Sequence, residues 1–432
     1  LTAPDRDSSR KPGISRRVGL GVLTGALLGA TRPLRAASPV ANATRFARIT
    51  DFFRREIDSG KLPGAVVQIQ RHGRLRYQKC FGVRDIGTGL AMTPDTLFAL
   101  HSMTKPITCF AAMQLIDQKR LRLDDPVSSY IPEFAATRVG VAAVDADGKP
   151  TLRLAAPRRP VTIADLLRHT SGISYEYIGS ELIVRTYRAA GLYRGLFDNA
   201  TFAGRVAALP LARQPGTLWR YGYSTDVLGR VIEIVSGQTL YRYQRQSIFE
   251  PLGMTSTAYH LPRAHDRQRL AEPLPGDGVL RGSEALRRSH PQWQSGGGGL
   301  VSTAQDYTRF AQMLLDGGRV GGRRLLGRAA FQAMTTDQIG PGSGVGRDSF
   351  YFPGDGFGFG YGLAIRVAPG ESSPPPPGSL GELKWDSGSG TLFGVDPKLG
   401  MVFVLMQQTG NERGRVVLAF KRLLYESVVD WG

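Results

Sequence analysis

Apolar residues recur at helical spacing from 44 to 59. Phe46, Ile49, Phe52, Phe53 and Ile57 share one face, which predicts an amphipathic helix ended by Pro63-Gly64. The period then changes to that of strands. Residues 65–70 and 75–81 lie either side of His72-Gly73 and predict a hairpin. A strand-like stretch at 96–100 gives way to a helical pattern at 107–118. Residues 135–160 predict an extended loop or small hairpin around Asp147-Gly148, and 161–168 a short helix with Thr162 as N-cap. Further helices are predicted at 226–235, ended by Gly237, and at 303–315, stopped by Gly317-Gly318. Residues 357–367, 383–384, 391–395 and 401–407 predict strands, with a proline-rich exposed loop at 372–378 and a closing amphipathic helix at 416–429.

This order is helix, strands, a long helical middle, strands, helix. It predicts an α/β (α+β) fold in which strands from both ends of the chain pair into one antiparallel sheet flanked by helices. The expected organisation is one domain over 44–432, with a sheet subdomain at 44–101 and 355–432 and an inserted helical lobe at 102–354. A cleft between the sheet edge and that lobe is the natural place for a site.

Charge changes this picture little. The chain of 432 residues carries +19, residues 1–43 contribute net +5, and the rest keeps +14. The arginines are scattered, and no aromatic-interleaved basic motif or zinc-finger spacing accompanies them, so nucleic-acid binding is not expected. Residues 1–43 predict an export signal. Ser15-Arg16-Arg17 precedes an apolar run at 18–30, and Ala41-Asn42-Ala43 offers a small-x-small cleavage site. The paired arginines resemble a twin-arginine signal, which implies a periplasmic protein with no transmembrane span in the mature chain. Cys80 and Cys109 are too few for a disulfide framework, and both read as small buried apolar residues.

The candidate chemistry starts at Ser102-Met-Thr-Lys105, between the strand-like stretch and the helix. A serine hydroxyl is a weak nucleophile until a base lies within hydrogen-bond reach. Residues i and i+3 at a helix start share one face, so Lys105 falls beside Ser102. The helix N-terminus adds unpaired N–H groups and a positive dipole end, which suit a negatively charged tetrahedral intermediate and a neutral lysine. Pro106 fits a first turn that needs no donor. Spacing alone is weak, since Ser8-Ser9-Arg10-Lys11 shares it without a catalytic context.

Six segments together supply that context: Phe98-Ala-Leu-His-Ser102-Met-Thr-Lys105, Leu121-Arg-Leu-Asp-Asp-Pro-Val127, Thr162-Ile-Ala-Asp-Leu-Leu-Arg-His-Thr-Ser-Gly172, Pro215-Gly-Thr-Leu-Trp-Arg-Tyr221, Gly297-Gly-Gly-Leu-Val-Ser-Thr-Ala304 and Trp385-Asp-Ser-Gly-Ser-Gly-Thr391. In order and spacing the chain resembles the serine β-lactamase and penicillin-binding protein superfamily, on the side of class C β-lactamases and family VIII carboxylesterases. The resemblance implies that Ser102 is the nucleophile, Lys105 its base and Tyr221 a proton carrier. Tyr223 stands where the family often has asparagine or serine, which removes a polar contact to an amide substrate. The third motif, Lys-Thr-Gly in β-lactamases, falls on Trp385-Asp386-Ser387 or Asp386-Ser387-Gly388. In either register the lysine that would hold a β-lactam carboxylate is absent. The oxyanion hole would then combine the Ser102 N–H with that of Gly388 or Ser389.

Other chemistries fit less well. No G-x-S-x-G elbow is present, and His169 belongs to a segment that is a structural turn in the family. His72, His101, His260, His265 and His290 lack metal-ligand spacing, Asp124-Asp125 reads as a turn before Pro126, and the glycine runs do not follow a phosphate-binding fingerprint. No cofactor is called for. The sequence therefore predicts an exported serine hydrolase that forms an acyl-enzyme on a small-molecule ester with a short acyl chain. The alternatives are a β-lactamase or D-amino-acid peptidase or transpeptidase acting on cell-wall amides, and a non-catalytic binder of cell-wall peptides.

Overall fold

The structure, a computed structural model, describes residues 45–195, 197–261, 264–278, 292–345 and 354–428. The expected export segment at 1–43 lies outside the described residues.

Eight strands form the central sheet: β1 (Gly64–Arg71), β2 (Arg74–Asp85), β3 (Leu90–Ala91), β4 (Phe357–Phe359), β5 (Ala364–Arg366), β6 (Leu383–Asp386), β7 (Leu392–Asp396) and β8 (Met401–Gln407). Their order is β4-β5-β6-β7-β8-β1-β2-β3, with antiparallel neighbours throughout. The two ends of the chain meet where β1 pairs with β8, Val67 opposite Leu405. This is the sheet the sequence predicts, and alternation explains its two faces. Ala65, Val67 and Ile69 of β1, with Met401, Phe403 and Leu405 of β8, pack on one side with Phe46, Phe53 and Phe420. Val66, Val402, Val404 and Met406 point the other way, into the larger core beneath the helices. A one-residue slip would exchange the faces, so the register is firmly specified. Gly394 is required in β7 because a Cβ there would lie 2.0 Å from the Phe403 ring.

Two helices cover the first face, α1 (Ala47–Asp58) and the closing helix Arg413–Val428. On the second face lies the helix Thr104–Asp117, in which every residue from Thr104 to Leu115 is buried. Apolar surroundings on all sides explain why that helix lacks an amphipathic pattern. Helix Ser224–Ser236, ended by left-handed Gly237, packs with it, while helix Ala304–Leu315 lies on β8, β7 and β1 and meets it where Phe310 touches Phe110. The predicted cap at Thr162 is present as a full capping box: its hydroxyl accepts from the Asp165 N–H, and the Asp165 carboxylate accepts from the Thr162 N–H. Residues 139–144 and 150–155 form the small hairpin.

Some expectations need correction. The stretch 357–367 is two short strands, because the chain turns at Gly362, where φ is +89° and a Cβ would lie 2.4 Å from that of Cys109. Residues 96–100 give only the two-residue strand Phe98–Ala99, paired with Val301–Ser302 outside the main sheet. Helices Glu181–Ala190, Asn199–Ala207 and Arg328–Met334 were not predicted. No helix among the described residues is long and apolar enough to cross a membrane.

Candidate active site

The pairing of Phe98–Ala99 with Val301–Ser302 brings the glycine loop 295–299 against the start of the buried helix. Leu100 N–H donates to the Leu300 carbonyl at 2.8 Å, and Leu300 N–H donates to Thr104 Oγ1 at 3.1 Å. Ser102 sits between, in the 3₁₀ turn His101–Met103 that runs directly into helix Thr104–Asp117. His101 holds φ +44°, a left-handed conformation uncommon for a residue with a side chain, so the turn carries local strain beside Ser102.

Lys105 Nζ lies 3.4 Å from Ser102 Oγ and donates to the Gly297 carbonyl at 2.6 Å. The lysine is buried, and burial lowers its pKa to about 8, against the opposing pull of the Asp226 carboxylate. Asp226 accepts from Ser295 Oγ at 2.5 Å and from Gly297 N–H at 3.1 Å. It thus fixes the loop whose carbonyl holds Lys105. Burial raises the Asp226 pKa, and Lys105 counters it.

Tyr221 comes from the turn before helix Ser224–Ser236. Its ring stacks on Trp219, 5.7 Å between centres, and touches His169 at 4.9 Å and Trp385 at 5.7 Å. Lys105 Nζ stands 4.7 Å from the ring centre. Burial drives the phenol pKa up, only partly offset by Ser102 and Trp385 as hydrogen-bonding neighbours, so Tyr221 is a protonated phenol at neutral pH. His169 is buried, and desolvation keeps it neutral. Its ring touches those of Trp219, Tyr221 and Phe359 and, at 3.5 Å, Thr225 Oγ1, so it packs the site from behind.

β6 packs against the Ser102 turn. Within β6, Trp385 pairs with Phe393 and Asp386 with Leu392, so the two side chains take opposite faces. Trp385 faces Tyr221 and Phe359. The Asp386 carboxylate lies 3.9 Å from Lys384 Nζ, and burial raises its pKa to about 6. In the turn that follows, Ser387 N–H donates to the Thr391 carbonyl, and Ser387 Oγ bridges Ser389 Oγ (2.8 Å) and Thr391 Oγ1 (2.7 Å). Ser389 N–H donates to Ser387 Oγ at 3.2 Å, so of the two amides left open by the sequence this one is occupied. The N–H of exposed Gly388 has no acceptor among the described residues.

The matches to known proteins agree with this arrangement. The sequence profile described as Beta-lactamase covers residues 49–426. The chain belongs to the Beta-lactamase family. Esterase EstB of Burkholderia gladioli is 31% identical, across 89% of this chain and 96% of that protein. Among solved structures, "EstCE1, a hydrolase with promiscuous acyltransferase activity" superposes with TM-score 0.73 at 28% identity, covering 89% of this chain and all of that one. Simvastatin synthase from Aspergillus terreus gives TM-score 0.73 at 26% identity, covering 91% of this chain and 100% of that one.

This Beta-lactamase family member is a serine hydrolase of the esterase-like branch. The sequence pointed to Ser102, Lys105, Tyr221, Tyr223 and the third motif; the structure gathers Lys105, Tyr221 and β6 about the Ser102 turn and puts Tyr223 in the wall of the adjoining cavity. Asp226, Glu176 and the Gly297 carbonyl were missed as members of the site. Tyr223 is buried, and its hydroxyl donates to Glu176 Oε2. Both line a cavity of about 320 Å³ that opens beside Ser102. Cys80 and Cys109 are unpaired, and burial raises the Cys109 thiol to about 12. Among the described residues no three His, Cys, Asp or Glu side chains cluster as metal ligands would.

Proposed function

We propose that the protein is a carboxylesterase acting on small esters with short acyl chains through an acyl-enzyme on Ser102. With a pKa of about 8, roughly a tenth of Lys105 is neutral at pH 7. The neutral amine keeps one N–H on the Gly297 carbonyl and turns its lone pair to Ser102. It takes the hydroxyl proton as Oγ bonds to the ester carbonyl carbon. The resulting oxyanion lies between the N–H groups of Ser102 and Gly388. Tyr221, a neutral phenol beside both Ser102 and Lys105, gives its proton to the departing alkoxide and regains one from Lys105. Water then repeats the sequence on the acyl-enzyme and frees the acid. The observation that carries the ester assignment is Trp385. An indole, not a cation, packs on Tyr221 where a β-lactam carboxylate would need a charge. The likeness to EstB and EstCE1 supports the same choice. The test is kcat/KM for p-nitrophenyl butyrate beside that for nitrocefin. Preference for nitrocefin would overturn the reading.

We also propose that residues 1–43 direct export. Protein from a periplasmic fraction should start near Thr44, and replacing Arg16 and Arg17 with lysine should block transport if the twin-arginine route is used. Full-length chain retained in the soluble cytoplasm would defeat this.

A further inference from the structure

The cavity beside Ser102 has an unusual wall for a pocket that would only need to hold a short apolar acyl chain. Tyr175, Tyr177, Tyr193, Tyr223 and Trp293 line it, and Glu176 stands among them. Tyr175 and Tyr177 lie parallel, ring centres 5.0 Å apart. Tyr193 meets Trp293 edge to face at 5.5 Å and Tyr223 at 6.1 Å. Aromatic rings carry a negative face, so several of them around one space favour a cation over an isosteric neutral group.

The carboxylate strengthens that preference. Glu176 is half-buried; Arg188 Nε donates to its backbone carbonyl at 3.0 Å, while its carboxylate forms no ion pair with a lysine, arginine or histidine among the described residues. Its side chain accepts from the Tyr223 hydroxyl, a neutral donor. Asp226, also on the wall, is different: Ser295 and Gly297 bind it and Lys105 balances it. Beyond burial, both carboxylates add to the upward shift of the Tyr177 and Tyr193 phenols, while Arg413 opposes them at Tyr177. An anionic, aromatic pocket inside a chain of net charge +19 is a local feature, not a consequence of composition.

The pocket also has a side. Tyr221 and Trp385 do not border it, whereas Ser102 does. An alcohol that receives its proton from Tyr221 must leave on the Tyr221 side of Ser102. The acyl group then points into the cavity.

We propose that this cavity is an acyl pocket for a chain ending in an alkylammonium cation, with Glu176 and the rings around it as the recognition elements. The proposal names the substrate class of the esterase reading and rests on it. A trimethylammonium group on a short acyl chain fits the aromatic walls, and Glu176 provides the counter-charge.

The experiment compares p-nitrophenyl 4-(trimethylammonio)butyrate with p-nitrophenyl 5,5-dimethylhexanoate, in which carbon replaces the charged nitrogen. The expected result is a kcat/KM at least about tenfold higher for the cationic ester, on the scale of one cation held by aromatic faces and a carboxylate. In Glu176→Gln the ratio between the two esters should fall at least about fivefold, and in Tyr177→Leu, a change at a mostly exposed ring, at least about twofold. Calorimetry on Ser102→Ala with the two corresponding methyl esters reads the same preference without chemistry. A wild-type ratio at or below one, or equal affinities in Ser102→Ala, would overturn the pocket. Hydrolysis of p-nitrophenyl butyrate separates the two claims. If it proceeds while the cationic preference is missing, only the pocket is wrong. If it fails while Ser102→Ala still prefers the cation, the esterase reading falls and the pocket stands.

Discussion

The carboxylate of Asp226 opposes, at Lys105, the burial that loosens that lysine's hold on its proton. The two groups set the pH at which the base is ready. Burial brings the lysine down to about 8, and Asp226 keeps it from falling further. Neutral Lys105 is the active form, so kcat/KM should rise with pH through a midpoint near 8. In Asp226→Asn the upward pull is gone, and the midpoint should move to lower pH. Asparagine keeps an acceptor oxygen for Ser295 and Gly297, so the loop retains its main ties. A pH profile with p-nitrophenyl butyrate reads the shift. A midpoint that stays in place or rises would remove Asp226 from this role.

Ser102→Ala should abolish ester turnover and labelling by a fluorophosphonate probe. Lys105→Ala should lose at least about two orders of magnitude in kcat, the scale of general-base removal. Protein lacking Ser102 Oγ that still released p-nitrophenol with enzyme-like saturation would show that the nucleophile lies elsewhere.

A stability prediction follows from Asp165. It is fully buried and accepts from Arg159 (2.6 and 2.9 Å), Arg168 (3.2 Å), Thr170 Oγ1 (2.8 Å) and the Thr162 N–H (3.0 Å). Burial alone would raise its pKa, but those donors outweigh it and the net shift is downward. Ionised Asp165 therefore contributes stability that is fully present above the unfolded carboxylate range, near 4, and is lost as pH falls through the lower folded value. Asp165→Asn should cost about 3 kcal/mol at pH 7, the lower end for a broken buried pair, because Arg159 is itself partly exposed. The gap to wild type should shrink below pH 4. Urea unfolding at pH 7 and pH 3 measures both, and equal gaps at the two pH values would contradict the assignment.

Legibility in the sequence followed how local the physics was. The faces of β1 and β8 were readable because alternation of apolar residues carries them directly, and the Thr162 cap because its partner is three residues away. Ser102 and Lys105 were readable for the same reason: one helical turn joins them. Asp226 was not, because an acid in a first helical turn looks like an ordinary helix signal. Only folding brings the 295–299 loop against it. The split of 357–367 depends on the approach of Gly362 to Cys109, more than two hundred residues away in the chain. The short helices at 181–190, 199–207 and 328–334 lie among turns and aromatic residues whose burial is decided by tertiary contacts rather than by periodicity. The direction of Trp385 and Asp386 also needed pairing partners, Phe393 and Leu392, which no local pattern names.

That direction decides the last prediction. The sequence left Trp385 and Asp386 equally able to replace the lysine of Lys-Thr-Gly. In the fold only Trp385 faces Tyr221, while Asp386 turns to Lys384. One lost charge-assisted hydrogen bond to a substrate carboxylate costs about 1.5–3 kcal/mol, or roughly one to two decades in rate constant. Neutral esters have no carboxylate and lose nothing. Wild-type kcat/KM for p-nitrophenyl butyrate should therefore exceed that for nitrocefin by at least about tenfold. Trp385→Lys should narrow the gap by raising nitrocefin turnover, since the new ammonium would stand where the indole now packs. Asp386→Lys should not, because its side chain would enter the buried side of β6 beside Lys384. If Asp386→Lys narrowed the gap and Trp385→Lys did not, the register argued from the strand pairing would be wrong. Benzylpenicillin hydrolysed faster than short-chain esters by the wild-type protein would move the chain to the β-lactamase branch altogether.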